Sequence, residues 1–207
     1  MSRTLKIAAA QYPLSEVSDL AAYEEKIARW VGEAAGSGAE LLVFPEYGAM
    51  ELAAIGGRGR DLRQAMTAVS DLIPELDRIH GGLAARHGIT IVAGSAPQNR
   101  HGKTLNTAHI FGPSGRMGAY DKIMPTPAER QQMEIAGGRP LTVFKTKKAM
   151  IGLLICYDIE FPLLSRALAE AGAEVILAPS DTETEWGYWR VRTGAMARAL
   201  ENQVYTV

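Results

Sequence analysis

Three polar residues of this 207-residue chain each follow an apolar run. Glu46 follows Leu41-Leu42-Val43-Phe44-Pro45, Lys122 follows Gly118-Ala119-Tyr120-Asp121, and Cys156 follows Ile151-Gly152-Leu153-Leu154-Ile155. Such runs read as strands, and ligands in α/β architectures usually sit at strand C-termini, so the three side chains are candidates to share one rim. Singly they carry little. A cysteine after aliphatics is most often a small buried hydrophobe, a glutamate beside proline a loop carboxylate, and a lysine a surface charge. Together they are chemically complete. A thiol with a free pKa of about 8.5 needs a base or a positive charge to attack at neutral pH. A carboxylate can take that proton and later give it to a leaving amine. An ammonium favours the thiolate and can stabilise the oxyanion of a tetrahedral intermediate.

Histidine, the commoner partner of a catalytic cysteine, is poorly placed. His80, His87, His101 and His109 are far from Cys156 in sequence and lack metal-ligand spacing. Cys156 is the only cysteine, which excludes an intramolecular disulfide and a cysteine-rich zinc site. Twenty-two Lys and Arg against 23 Asp and Glu give a net charge of −1, without the basic excess of a nucleic-acid binder. No apolar run approaches the roughly 18–20 residues of a membrane helix, and Met1–Ala10 has no long h-region of a signal peptide. The default expectation is a soluble, cytoplasmic, single domain. Gly56-Gly57-Arg58-Gly59 is not followed by Lys-Ser or Lys-Thr, so it reads as a flexible loop rather than a phosphate cradle.

The elements that must position the three residues alternate between strand and helix. Strands are expected over Leu5–Ala10, Glu40–Phe44 and Ile89–Gly94. Leu20, Tyr23, Ile27, Trp30 and Ala34 recur every three or four residues, so a helix is predicted over Asp19–Ala35. A second helical stretch, Arg63–Arg86, is interrupted at Pro74. Thr107–Phe111 and Arg116–Tyr120 flank a Gly112-Pro113-Ser114-Gly115 turn and read as a hairpin, as do Leu141–Lys145 and Ala149–Ile155. Then come a helix over Leu163–Ala171, a strand over Val175–Ala178, a helix over Trp186–Glu201 and a β-type run from Gln203 to Val207. Helices between strands at both ends, with hairpins in the middle, predict mixed sheets covered by helices. Tyr47 beside Glu46, and Asp181, Thr182 and Glu183 after the Val175–Ala178 strand, are the candidate substrate contacts. The competing reading is a solvated loop whose acids also favour the N-terminus of the helix from Trp186, since carboxylates interact well with that end of the helix dipole.

Phe44-Pro45-Glu46, Tyr120-Asp121-Lys122 and Ile155-Cys156-Tyr157-Asp158 resemble, in order, the three signature segments of the nitrilase superfamily, the carbon–nitrogen hydrolases. Glu129, seven residues after Lys122, falls where that family places a second glutamate. The stretch from Ala178-Pro179-Ser180 through Ala197–Gln203 resembles the segment after the cysteine. The resemblance implies an α-β-β-α four-layer sandwich with mixed sheets. It implies Glu46 as general base, Lys122 as oxyanion stabiliser, Cys156 as nucleophile, the Tyr157 N–H as second oxyanion donor, and Glu129 holding Lys122 in register. Asp158 is expected to shape the cysteine turn. The implied reaction is attack of the Cys156 thiolate on a small amide, through an acyl-thioester, with neither metal nor cofactor. Nitrile or N-carbamoyl substrates fit the same residues, and a non-catalytic binding or assembly relative is the alternative from another class. A homodimer or larger homo-oligomer is implied. The family continues past the strand near Gln203 with further β-structure and a tail, so the expectation for a chain ending at Val207 is a shortened form that keeps the catalytic positions.

Overall fold

The computed structural model describes residues 3–57 and 61–207; Arg58 and Gly59 of the glycine-rich loop lie outside them. Nine strands form two mixed sheets among the described residues. The first sheet has the order β1 (Ile7–Ala9), β2 (Leu41–Val43), β3 (Thr90–Arg100), β4 (Lys103–Gly112), β5 (Gly115–Asp121). The second has the order β6 (Val143–Lys145), β7 (Met150–Leu153), β8 (Val175–Leu177), β9 (Tyr205–Thr206). β1, β2 and β3 are parallel, as are β7, β8 and β9, and the hairpin strands β4, β5 and β6 pair antiparallel.

The helices cover the outer faces. α1 (Leu20–Gly36) is capped by Asp19, whose carboxylate accepts the Ala22 N–H at 2.8 Å. Its stripe of Tyr23, Ile27, Val31 and Ala34 packs with Leu76, Ile79 and Leu83 of α3 (Ile73–His87) onto the first sheet. α2 (Leu62–Asp71) and α3 divide the long helical stretch at Leu72, and Pro74 takes the first turn of α3, where a missing N–H costs nothing. Between the sheets lies a second core, in which Leu41, Val43, Val92, Ile110 and Tyr120 meet Phe144, Ile151, Leu153 and Leu177. α5 (Pro162–Glu170) and α6 (Glu185–Asn202) close the far side, with Leu168 of α5 packed against Gly152 of β7. This is the expected α-β-β-α sandwich.

Three local expectations need correction. The strand expected to end at Gly94 continues to Arg100, and the one expected from Thr107 begins at Lys103. The link between them is a two-residue turn in which His101 (φ 52°) and Gly102 (φ 72°) are both left-handed, the geometry that suits a twisted hairpin. A six-residue helix, α4 (Pro127–Gln132), was not foreseen.

Candidate active site

Four strand ends face one side of the sandwich. β2 and β3 are parallel, and β5, antiparallel to β4, points the same way as β3. Glu46, Lys122, Cys156 and Asp181 follow β2, β5, β7 and β8, respectively, and all four line a single cavity of about 640 Å³. Glu129, Tyr47, Tyr157, Thr182 and Glu183 line it as well, so every expected catalytic, oxyanion or substrate-contact residue is at this cavity. The four histidines are not among its lining residues. His80 bonds the Leu76 carbonyl at 2.9 Å and His109 bonds Asp77, both away from the cavity.

Glu46 is held by a tight turn. Tyr47 adopts φ 53°, its N–H donates to Ser95 Oγ at 3.1 Å, and the Pro45 carbonyl accepts the Ser95 N–H at 3.3 Å. Directly beneath sits Gly94, at φ 73° in a break of the β3–β4 register. A Cβ there would lie 2.1 Å from Pro45 O, so only glycine lets the two backbones approach this closely.

Lys122 is fully buried and sits between two carboxylates, 2.8 Å from Glu46 Oε1 and 2.6 Å from Glu129 Oε2. Glu129 is placed by a capping box: its N–H donates to Thr126 Oγ1 at 3.1 Å and its Oε2 accepts the Thr126 N–H at 2.7 Å. Its other oxygen accepts the Tyr47 hydroxyl at 2.7 Å, so Tyr47, expected as a substrate contact, also secures Glu129. Glu129 came to notice only through the family resemblance. The local signal for its position is Thr126-Pro127-Ala128-Glu129, an N-cap, a first-turn proline and an N3 glutamate. A residue that sequence reasoning missed altogether is Asn106 of β4. Its side-chain NH2 lies 2.9 Å from both Glu46 Oε1 and Glu129 Oε1.

Cys156 has φ 48°, a strained value for a residue bearing a Cβ, and begins a 3-10 turn over Cys156–Glu160. The Cys156 N–H donates to Pro179 O at 2.9 Å, and Sγ approaches the Asp181 carbonyl at 3.5 Å. Asp158, fully buried, accepts the Ile155 N–H at 3.0 Å, the Met124 N–H at 2.7 Å and the Tyr120 hydroxyl at 2.8 Å. It therefore shapes the cysteine turn, as expected, and also ties it to the segment leaving Lys122. Tyr157 is at the first turn of a helix, where N–H groups have no intrahelical acceptor.

Burial pushes the Cys156 thiol well up, and the neighbouring Glu46 carboxylate pushes it further, while Lys122 only partly opposes them. The lysine charge is already matched by two carboxylates. Burial and the Glu46 charge both favour the thiol form, so a base must take the proton as the sulfur attacks. Burial also raises Glu46, with Glu129 adding to the rise and Lys122 opposing it. For Lys122, burial is the largest influence and would lower its pKa, but Glu46 and Glu129 together hold it above the ordinary lysine range. For Glu129, burial again acts upward, but Lys122 and the Thr126 and Tyr47 donors hold it below the usual carboxylate range. Among the described residues no three His, Cys, Asp or Glu side chains are grouped so as to hold a metal ion.

The sequence pattern of the carbon-nitrogen hydrolases matches residues 6–207, nearly the whole chain. The chain belongs to the carbon–nitrogen hydrolase family. Among curated family members it is 32% identical over 203 residues to a probable hydrolase, YhcX, of Bacillus subtilis, covering 98% of this chain and 39% of that protein. It is 31% identical to the omega-amidase NIT2 of Danio rerio, covering 84% of this chain and 63% of that protein. The chain thus spans less than two thirds of the length of these two relatives. Solved structures share the fold. Nit3 of Saccharomyces cerevisiae superposes with a TM-score of 0.77 at 23% identity, over 99% of this chain and 74% of that one. An amidase from Nesterenkonia sp. superposes with a TM-score of 0.72 at 24% identity, over 99% of this chain and 76% of that one. This carbon–nitrogen hydrolase stacks two mixed sheets between helical layers.

Proposed function

We propose that this chain hydrolyses the C–N bond of a small amide through an acyl-thioester on Cys156. The observation that carries the reading is the convergence of Glu46, Lys122, Glu129 and Cys156 on one cavity. The Cys156 sulfur attacks the amide carbon as Glu46 takes the thiol proton, which suits a thiol whose protonated form is favoured by burial beside a carboxylate. The oxyanion that forms is held by the Lys122 ammonium and the Tyr157 N–H. Glu46 passes its proton to the departing nitrogen, the C–N bond breaks, and the thioester remains. Water then gives a proton to Glu46 and attacks the thioester carbon. The C–S bond breaks, the sulfur recovers the proton, and the carboxylic acid leaves.

Relatives described as an omega-amidase and an (R)-stereoselective amidase, the latter from Pseudomonas sp. and 32% identical, support an amide as substrate, and a relative described as a bifunctional nitrilase/nitrile hydratase, 34% identical, makes a nitrile the alternative substrate of the same residues. Tyr47, Asp181, Thr182 and Glu183 belong to the same proposal as the residues that border the bound amide. Leu14, Met50, Leu62, Met133 and Val191 supply apolar wall for its side chain. The test is intact-protein mass spectrometry during turnover of a panel of small amides. An acyl adduct should form on the wild type and not on Cys156→Ala, which should fold and be inactive. Full turnover by Cys156→Ala would end the covalent reading.

A further inference from the structure

We infer that Asn106 is a positioning residue that confines the base chemistry of Glu46 to one oxygen by bridging Glu46 and Glu129. The assignment goes beyond the proposed function but rests on its roles for Glu46 and Cys156. Asn106 is fully buried in β4 and does not line the cavity, so it does not touch the substrate. Its main-chain carbonyl accepts the Lys122 N–H at 2.8 Å, which fixes the point where the lysine leaves β5. Its side-chain nitrogen lies 2.9 Å from Glu46 Oε1 and 2.9 Å from Glu129 Oε1, so each N–H of the NH2 group serves one carboxylate. The reverse orientation of the amide would aim its carbonyl oxygen at two carboxylate oxygens. One neutral residue thus engages three of the four charged or reactive groups.

Glu46 Oε1 accepts from Lys122 and Asn106 together. Glu46 Oε2 accepts the Asp181 N–H, at 3.1 Å, and the Cys156 thiol bonds the same carboxylate, so Oε2, with one N–H donor against the two on Oε1, is the oxygen with capacity left for a thiol, amine or water proton. Asn106 also offsets the repulsion between two carboxylates that share one lysine, and it does so without adding charge. Its own Oδ1 is buried with no partner among the described residues. A side chain that leaves one buried polar atom unsatisfied is retained here for what its other end holds.

The charged and titratable groups facing Glu46 are Lys122 after β5, Glu129 on α4, Cys156 after β7, and Tyr47 in its own loop. None changes when Asn106 does. Donors to a carboxylate favour its ionised form, so removing them must raise the Glu46 pKa further. The acidic limb of kcat/KM, where the free base becomes protonated, then moves to higher pH.

The experiment uses the full chain with Asn106→Leu, which matches the shape and removes both donors, and Asn106→Asp, which exchanges them for a third carboxyl. Two profiles are measured from pH 4 to 9: kcat/KM for an amide the wild type hydrolyses, and the rate of Cys156 alkylation by iodoacetamide. For Asn106→Leu the acidic limb of both profiles should rise by about one unit. At neutral pH, kcat should fall about ten- to hundredfold, the rate equivalent of losing a hydrogen bond to a charged group, with KM little changed. Asn106→Asp should shift the limb at least as far. A limb that stays in place in both variants overturns the assignment, even if all rates fall uniformly with a lower Tm, because that is the mark of a purely structural role. If wild-type Cys156 alkylates with no acidic limb at all, Glu46 is not its base, and the proposed mechanism fails with the assignment.

Discussion

Lys122 carries two duties that a single substitution would confuse. It is expected to hold an oxyanion, and its ammonium also pairs with two buried carboxylates. Breaking such a pair by removing one partner typically costs about 3–5 kcal/mol, because a buried charge is left uncompensated. Lys122→Met should therefore lower Tm strongly as well as abolish turnover. Glu46→Gln is different. Burial already disfavours the charge on Glu46, and its loss leaves Lys122 paired with Glu129. Glu46→Gln should fold with a Tm near wild type and be inactive in both acylation and deacylation. Thermal melting beside single-turnover kinetics checks the contrast, and a Lys122→Met protein as stable as wild type would show that the two carboxylates do not need it. Adding Glu129→Gln to Lys122→Met removes one of the stranded charges and should recover part of the Tm but none of the activity.

Short, irregular elements set the site more than the long regular ones do. The Pro45–Tyr47 turn, the Gly94 bulge, the α4 capping box and the 3-10 turn at Cys156 each fix one reactive group. Gly94→Ala puts a methyl group against Pro45 O and demands a left-handed alanine, at a cost of about 1–2 kcal/mol for the conformation before the clash is counted. The expected result is a lower Tm, together with slowed alkylation of Cys156, since Glu46 moves with Pro45; normal alkylation in a destabilised protein would separate the bulge from the site. These elements were also the least legible. The α1 stripe and the runs before Glu46, Lys122 and Cys156 could be read because burial imposes a period or an unbroken apolar run, and Pro74 marked the break at Leu72 because a proline suits only a helix's first turn. α4 is six residues long, too short for a period, and only its capping signature marks it. Asn106 escaped notice because the strand was expected to begin one residue later, at Thr107. A fully buried asparagine in a strand breaks both propensity and polarity, but its burial cannot be seen in the sequence.

At the scale of the molecule, two sheets deliver their strand ends to one side, and the charge of the cavity there is the sum of what each end brings. Outside the proposed catalytic group, the lining charges among the described residues are Glu160, Asp181, Glu183 and Arg190. Arg190 is paired with Glu160 at 2.7 Å and lies over the Tyr157 ring. Asp181 and Glu183 have no cationic partner among the described residues, and Asp181 is raised by burial and then by Glu183. Nor do these two acids cap α6: Thr184 is its N-cap, accepting the Gly187 N–H at 3.1 Å. The described wall is therefore net negative, and an amide bearing a distal ammonium should be favoured over one bearing a carboxylate. Like charges about 4 Å apart repel by about 1 kcal/mol even at the dielectric of water, and by more where the cavity is partly dry, so the ratio of kcat/KM should exceed fivefold. Salt should narrow it. Asp181→Asn with Glu183→Gln should remove most of the preference while leaving the Asp181 backbone contacts to Glu46 and Cys156 in place. Steady-state kinetics on matched cationic and anionic amides at low and high salt would measure this. An anionic preference that survives neutralisation of both acids would mean that Arg190, not the acidic loop, selects the substrate.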